Sequence, residues 1–492
     1  MTPRCVPTLI ALGVLSLPTV AAVPARAQQQ RSTPPPPRPM RTVSVPTPAE
    51  RTLPNGLRVI HAPRAGSGLV SVQFFVRAGG ANDPDGKAGL AALTASLVTQ
   101  GAGGRPATRI AEQIEALGGS LSASAGRDAT SVRLSLMRRN LEPALPVLAD
   151  VVIRPDFPAE ELERQRTQTL DALAVELGDP SSLGRAAADR VIFGAGPYGP
   201  LLSGTPASLK GLTREDVVSF SRAHFLPRNT IVIVAGDIAA ADAFRLIERH
   251  FGGWKAAAAA ADAVPPAAAA AGSPATPRVL VVDKPDAGQA AVFVTRVGIA
   301  RSAPEYLPGQ VANTVLGVGF SSRLNQEIRI KRGLSYGAAS RLEARRLPGP
   351  FRAGAQTKNE SAAEVAALML DEIQQLGSQP VPAAELTTRK AVLSGAFSRD
   401  IETGDGLASR VADLAVNGLP LSNLGLYLTR VQAVSPAQVA EFTRARLSRE
   451  GMSVVIVGNA AAFLPALKQR FGEERIEVIP EKSLNLDSAT LK

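Results

Sequence analysis

The chain has 492 residues, 45% of them apolar and 20% charged, so global disorder is excluded and the length fits two large domains or about three ordinary ones. A single cysteine, Cys5, rules out a disulfide framework, a zinc ribbon and an iron–sulfur protein, and three histidines leave little room for metal chemistry. The formal charge is +11, but lysine and arginine are dispersed and aromatic residues are scarce, which fits a basic protein with no nucleic-acid partner.

Residues 1–27 read as a secretory signal. Arg4 supplies the positive charge, Thr8 to Ala22 the short apolar run, and Ala25-Arg26-Ala27 the cleavage site. The run is interrupted by Pro18 and is too short to span a bilayer, and no later segment reaches the ~20 apolar residues that spanning needs. The expectation is an exported mature chain without cysteine or membrane span, periplasmic in the first place and secreted as the alternative. Residues 28–47, with Pro34-Pro35-Pro36-Pro37 at their centre, read as an extended tether.

Beyond the tether, Val70, Val72, Phe74 and Val76 alternate with more polar neighbours, as in a half-buried strand. Val132, Leu134 and Leu136 repeat the pattern, while Ile110, Ile114 and Leu117 fall at helical spacing before Gly118-Gly119. Alanine runs at 256–261 and 267–271 around Pro265-Pro266 mark a linker over 256–277. The expected organisation is one half over 48–255, a second over 278–475 and a tail over 476–492. Thr213, Val217, Phe220, Arg222-Ala223 and Gly236 are matched by Ser435, Val439, Phe442, Arg444-Ala445 and Gly458, each pair separated by the same 222 positions. Both stretches read as a capped helix leading into a buried strand, at 230–235 and 453–457, which argues for an internal duplication. The fold class is α+β, with mixed or antiparallel sheets flanked by helices in each half.

The first half opens with Leu53-Pro54-Asn55-Gly56-Leu57-Arg58-Val59. The second contains Asn313 to Leu316, Gly317, Ser321-Ser322-Arg323-Leu324, Ile328-Arg329 and Arg332-Gly333-Leu334-Ser335-Tyr336. On these segments the chain resembles the pitrilysin/insulinase family of inverted-motif zinc peptidases, over roughly residues 48–475. The resemblance implies two homologous halves forming a clamshell around a peptide chamber. Active relatives carry H-x-x-E-H on a helix, whose two histidines share a face and reach one metal, with the glutamate as general base and a distant glutamate completing the site. Matching Gly101 to the family's glycine places Ala92, Ala95 and Ser96 at the His, Glu and His positions, and the distant position falls at Ala172, in a helix over 161–178. Methyl groups neither bind zinc nor accept a proton, so no catalytic residue and no metal are expected in this chain. His61, His224 and His250 are expected as capping or surface residues. There is no G-x-S-x-G, and Gly317-Val318-Gly319 lacks phosphate-loop spacing and reads as a helix-ending turn.

Arg329 and Tyr336 match an arginine/tyrosine pair that, in active relatives, polarises the substrate carbonyl, so they are the candidate substrate-binding residues. The resemblance is to the non-catalytic subunit type, like that of mitochondrial processing peptidase or a bacterial two-chain form. It implies a peptide-binding subunit of an exported heteromeric zinc peptidase, whose zinc-motif-bearing homologous partner holds the zinc. An assembly or scaffold protein, and an independent metallopeptidase with relocated ligands, are the alternatives.

Overall fold

The computed structural model describes residues 44–255 and 278–492. The signal sequence, all but the last four residues of the tether and the Ala/Pro linker lie outside the described residues. In the first half β1 (Ala49–Thr52), β2 (Arg58–Pro63), β3 (Leu69–Val76), β6 (Ser120–Ala125), β7 (Thr130–Met137) and β8 (Thr230–Gly236) form a sheet ordered β1-β2-β8-β3-β7-β6. The short strands β4 (Gly101–Ala102) and β5 (Arg105–Pro106) pair with each other. Helices α1 (Leu90–Leu97), α2 (Ala107–Ala116), α3 (Leu141–Ile153), α4 (Ala159–Gly178), α5 (Pro180–Phe193), α6 (Pro206–Gly211), α7 (Arg214–His224) and α8 (Ala240–Phe251) complete this half.

The second half repeats the plan. Strands β9 (Val279–Asp283), β10 (Ala290–Val297), β11 (Ala338–Leu342), β12 (Pro350–Thr357), β13 (Ser453–Gly458) and β14 (Ile476–Pro480) are ordered β11-β12-β10-β13-β9-β14. Its helices are α9 (Tyr306–Gly317), α10 (Ala362–Ser378), α11 (Ala383–Asp400), α12 (Gly404–Val416), α13 (Asn423–Ala433), α14 (Pro436–Arg446) and α15 (Ala460–Phe471). Read from opposite ends the two orders coincide for five strands, β2-β8-β3-β7-β6 with β9-β13-β10-β12-β11, so the duplication read from the sequence extends through both sheets. Thr213 and Ser435 cap α7 and α14 as expected, each accepting a hydrogen bond from the backbone N–H three residues on. Only the edge strand differs: β1 runs antiparallel to β2, whereas β14 runs parallel to β9. The cause is connectivity. A short turn through Asn55-Gly56 joins β1 to β2, while β14 is reached from β13 through a helical crossover, α15.

Residues 476–492 are therefore not a tail. After β14 the chain runs back over the first half. Leu486 and Leu491 are buried with α5, Arg190 Nε donates to the Leu486 carbonyl at 2.8 Å, and Thr205 Oγ1 donates to the Asp487 carboxylate at 2.7 Å. The sequence shows too little apolar periodicity after Pro480 to reveal this, because the anchoring rests on isolated leucines and on scattered polar contacts such as Lys284 with Glu481 at 2.7 Å.

Each sheet is buried on both faces. In β9, Val279 and Val281 face the helices of their own half, while Leu280 and Val282 face α5 of the other half together with Phe293, Val455 and Val457. Small residues, Gly184, Ala187 and Ala188, let α5 lie close to that sheet; a Cβ on Gly184 would stand 2.6 Å from the Phe293 ring. Reciprocally, α12 of the second half lies across β8, β3 and β2. This corrects the reading of β3 as half-buried. Ser71 and Gln73, on its polar side, are 3% and 0% exposed, and Gln73 Nε2 and Ser135 Oγ both donate to Asp405 Oδ1 on α12, at 3.2 and 2.9 Å. A polar seam adds to the join: Tyr198 Oη donates to Asp128 Oδ1 at 2.6 Å and accepts from the Leu347 N–H at 3.2 Å, and Arg352 bonds Asp189 at 2.6 Å.

Gly184→Leu should wedge α5 off the second sheet and cost about 1–3 kcal/mol, read as a lowered unfolding midpoint. Gly395→Ala, inside α11 with only the flexible tip of Arg399 nearby, should leave that midpoint unchanged or raise it.

Candidate functional site

The helix to which the sequence reading assigns the family's metal motif is α1, and it packs against α4. Asp83 sets its N-terminus: the backbone N–H groups of Gly89 and Ala91 donate to its two carboxylate oxygens at 2.9 and 2.8 Å. Burial pushes the Asp83 carboxyl up to about 7, outweighing these hydrogen bonds and the nearby Arg127 charge. Ala92 and Ser96 stand one helical turn apart and half-buried, Ala95 is fully buried, and Ala172 is exposed on α4. Ser96 Oγ donates to the Leu93 carbonyl at 2.8 Å, so its only proton is spent within its own helix. Three methyl groups and one engaged hydroxyl do not fit a zinc ion. Among the described residues no three His, Cys, Asp or Glu side chains come together in a way that could hold one.

The histidines sit on β2, α7 and α8. His61 is neither a cap nor a surface residue. It lies inside β2, 4% exposed, and its Nε2 donates to the Ile238 carbonyl at 2.8 Å, a contact that fixes the tautomer. His224 rests on the Phe220 ring at 4.6 Å, and His250 is half-buried near the end of α8. Burial lowers the pKa of all three, keeping the rings neutral, with Arg249 adding to the effect at His250.

Arg329 and Tyr336, in contrast, are brought together. Arg329 lies on a π-helical segment, Asn325–Lys331, rather than on an ordinary α-helix; such segments are rare and concentrate at functional sites. Gly333, at φ +64°, reverses the chain, and its N–H donates to the Arg329 carbonyl at 3.1 Å. The guanidinium carbon of Arg329 then stands 4.7 Å from the Tyr336 ring centroid and 4.9 Å from that of Phe320. Among the described residues this guanidinium has no carboxylate partner and no hydrogen-bonded acceptor. Tyr336 is 90% and Phe320 60% exposed, so an arginine held between two rings faces solvent with its donors free. Asn325, which is buried, ties the two ends of this motif: its Nδ2 donates to the Phe320 carbonyl and its Oδ1 accepts from the Ala338 N–H that opens β11. Arg323, anchored through two bonds to Glu385, holds the loop to α11.

Phe320 was not singled out from the sequence. An exposed aromatic residue just after the helix-ending Gly317-Val318-Gly319 turn was the available signal in a chain with so few aromatics. Beside α1 runs β6, the outer strand of its sheet, hydrogen-bonded to β7 on one side only. Its other edge can accept an extended chain.

The architecture is that of a duplicated α+β fold, two six-stranded sheets flanked by helices. Residues 58–177 match the family model "Insulinase (Peptidase family M16)" and residues 211–393 match "Peptidase M16 inactive domain". The chain belongs to the M16 family. It is 28% identical over 412 residues to an uncharacterized zinc protease of Mycobacterium leprae, covering 82% of this chain and 90% of that protein. It is 22% identical over 392 residues to a non-peptidase homolog, YmxG, of Helicobacter pylori, covering 80% and 89%. A solved M16 inactive domain from Pseudomonas fluorescens superposes with TM-score 0.78 at 24% identity, covering 85% of this chain and 99% of that one. A protease from Helicobacter pylori gives TM-score 0.79 at 21% identity, covering 84% and 100%. The last two likenesses concern the fold.

The raised Asp83 carboxyl gives a pH test. The folded chain keeps a proton that the unfolded chain, with an ordinary carboxyl near pH about 4, gives up, so stability falls as pH rises from about 4 to about 7. Asp83→Asn keeps one acceptor and cannot ionise. Relative to the parent, the variant's unfolding midpoint should rise between pH 5 and pH 8; a difference that is the same at both values would contradict the assignment.

Proposed function

We propose that this chain is the exported, peptide-binding subunit of a heteromeric zinc peptidase, and that its zinc-bearing partner supplies the metal and the general base. The observation that carries the reading is the Phe320–Arg329–Tyr336 stack. An arginine that has no carboxylate partner among the described residues, pinned between two exposed rings on a π-helical turn, is costly to hold ordered unless a ligand uses its donors. A peptide carbonyl that gains negative charge during cleavage is such a ligand, since guanidinium and phenol both donate to a developing oxyanion. The open edge of β6 supports an extended peptide as the bound form, because main-chain hydrogen bonds read any sequence. The emptied positions Ala92, Ala95, Ser96 and Ala172 support division of labour between two chains: one retains the carbonyl contacts, the other the metal.

The test is reconstitution of the mature chain with a zinc-motif homologue from the same genome, assayed on quenched peptides. Activity is expected only in the mixture. Arg329→Ala and Tyr336→Phe should each lower its kcat/KM roughly tenfold to a hundredfold without changing its zinc content. Unchanged turnover in both variants would remove the assigned role, and cleavage by this chain alone would remove the division of labour.

A further inference from the structure

A second candidate site lies wholly within the C-terminal half. A cavity of about 330 Å³ opens between the segment at the start of α9 and helices α11, α12 and α13. That volume falls in the range of roughly 300–1,000 Å³ typical of small-molecule pockets. The chain has only four tyrosines, and two of them, Tyr306 and Tyr427, line this one space. Tyr427 stacks on Phe397 with ring centroids 4.5 Å apart, and Leu414 and Leu424 complete an apolar floor. Among the described residues neither phenol oxygen has a hydrogen-bond partner. Burial pushes both phenols up, Tyr306 to about 12, so each remains an O–H donor at neutral pH.

The charges around the cavity do not cancel. Arg301 is engaged by Asp413 at 2.9 Å while its guanidinium covers the Tyr306 ring at 3.8 Å. Arg410 is engaged by Asp400, also at 2.9 Å. Arg430 donates to Asn423 Oδ1 at 2.9 Å, and among the described residues it has no carboxylate within ion-pair distance. The cavity thus offers one uncompensated cation and two idle hydroxyl donors above an apolar floor. Donors without acceptors select an anion, and the floor selects what the anion is attached to.

We propose that this cavity binds a small organic carboxylate with an aromatic or branched apolar body, its carboxylate on Arg430 and the tyrosine hydroxyls and its body against Phe397 and Leu424. Free arylalkyl carboxylates and the C-terminal residue of a peptide share this chemistry. The site does not depend on the peptidase reading, and its test needs no partner.

The experiment is calorimetric titration of the full mature chain with N-acetylphenylalanine, with its amide, and with a five-residue peptide ending in phenylalanine, free or amidated. The free acid should bind about tenfold or more tightly than the amide. Arg430→Gln, at an exposed position, should abolish that preference without moving the unfolding midpoint, and Tyr427→Phe should weaken the acid about threefold to tenfold. Discrimination extending to the pentapeptide identifies peptide C-termini as the source; discrimination confined to the small acid identifies free carboxylates. No heat at millimolar ligand, equal binding of acid and amide, or an Arg430→Gln variant with unchanged affinity would each overturn the proposal.

Discussion

Each of the two sheets is buried on both faces, and each half supplies helices for only one of them. The second face of the C-terminal sheet is covered by α5, which belongs to the N-terminal half, and that of the N-terminal sheet by α12, which belongs to the C-terminal half. Burial of apolar surface contributes about 25 cal/mol per Å², so the Leu/Val face of the C-terminal sheet depends on α5, while buried Gln73 on the N-terminal sheet depends on Asp405 of α12, and neither half is complete without the other. The exchange also carries the rest of the structure. Helix α4 runs into α5 through the single residue Asp179, whose side chain caps α5 through the Ser182 N–H at 2.9 Å. The place of α4 against α1 is therefore tied to the docking of α5 on the opposite half.

The same coupling acts on the arginine motif. Helix α11 leads directly into α12, and Glu385 and Arg389 on α11 hold Arg323 and the backbone of the 318–321 loop that presents Phe320. The packing that covers the back of one sheet thus supports a solvent-facing arginine on the other half. A tetrahedral metal site needs its ligands together, and the methyl groups of Ala92, Ala95 and Ala172 offer none. The arginine clamp needs only a turn, two rings and a well-anchored loop, and all of these are present.

The buried polar contacts show where a duplicated fold diverges. Gln73 and Ser135 meet Asp405 across the halves, and the Asp128–Tyr198–Leu347 chain joins a hairpin tip of one sheet to a turn of the other. These groups are desolvated, so each is stabilising only while its partner is in place, which favours one relative placement of the halves over alternatives. The C-terminal strap works in the same sense, with Asp487 on Thr205 and Leu491 fully buried.

Much of this was legible from the chain alone. The duplicated capped helix and strand, the alternation of β7 and the pairing of Arg329 with Tyr336 all rest on local patterns, because helical and strand periodicity act over a few residues. What covers the polar side of β3, why His61 is buried, how residues 476–492 anchor themselves and which ring backs Arg329 were not legible. The hydrophobic effect is non-directional: a sequence states which side chains must leave water, but not which distant segment will cover them. Gln73 reads as a surface residue until Asp405 of α12 is placed upon it, and that placement exists only once both sheets have formed.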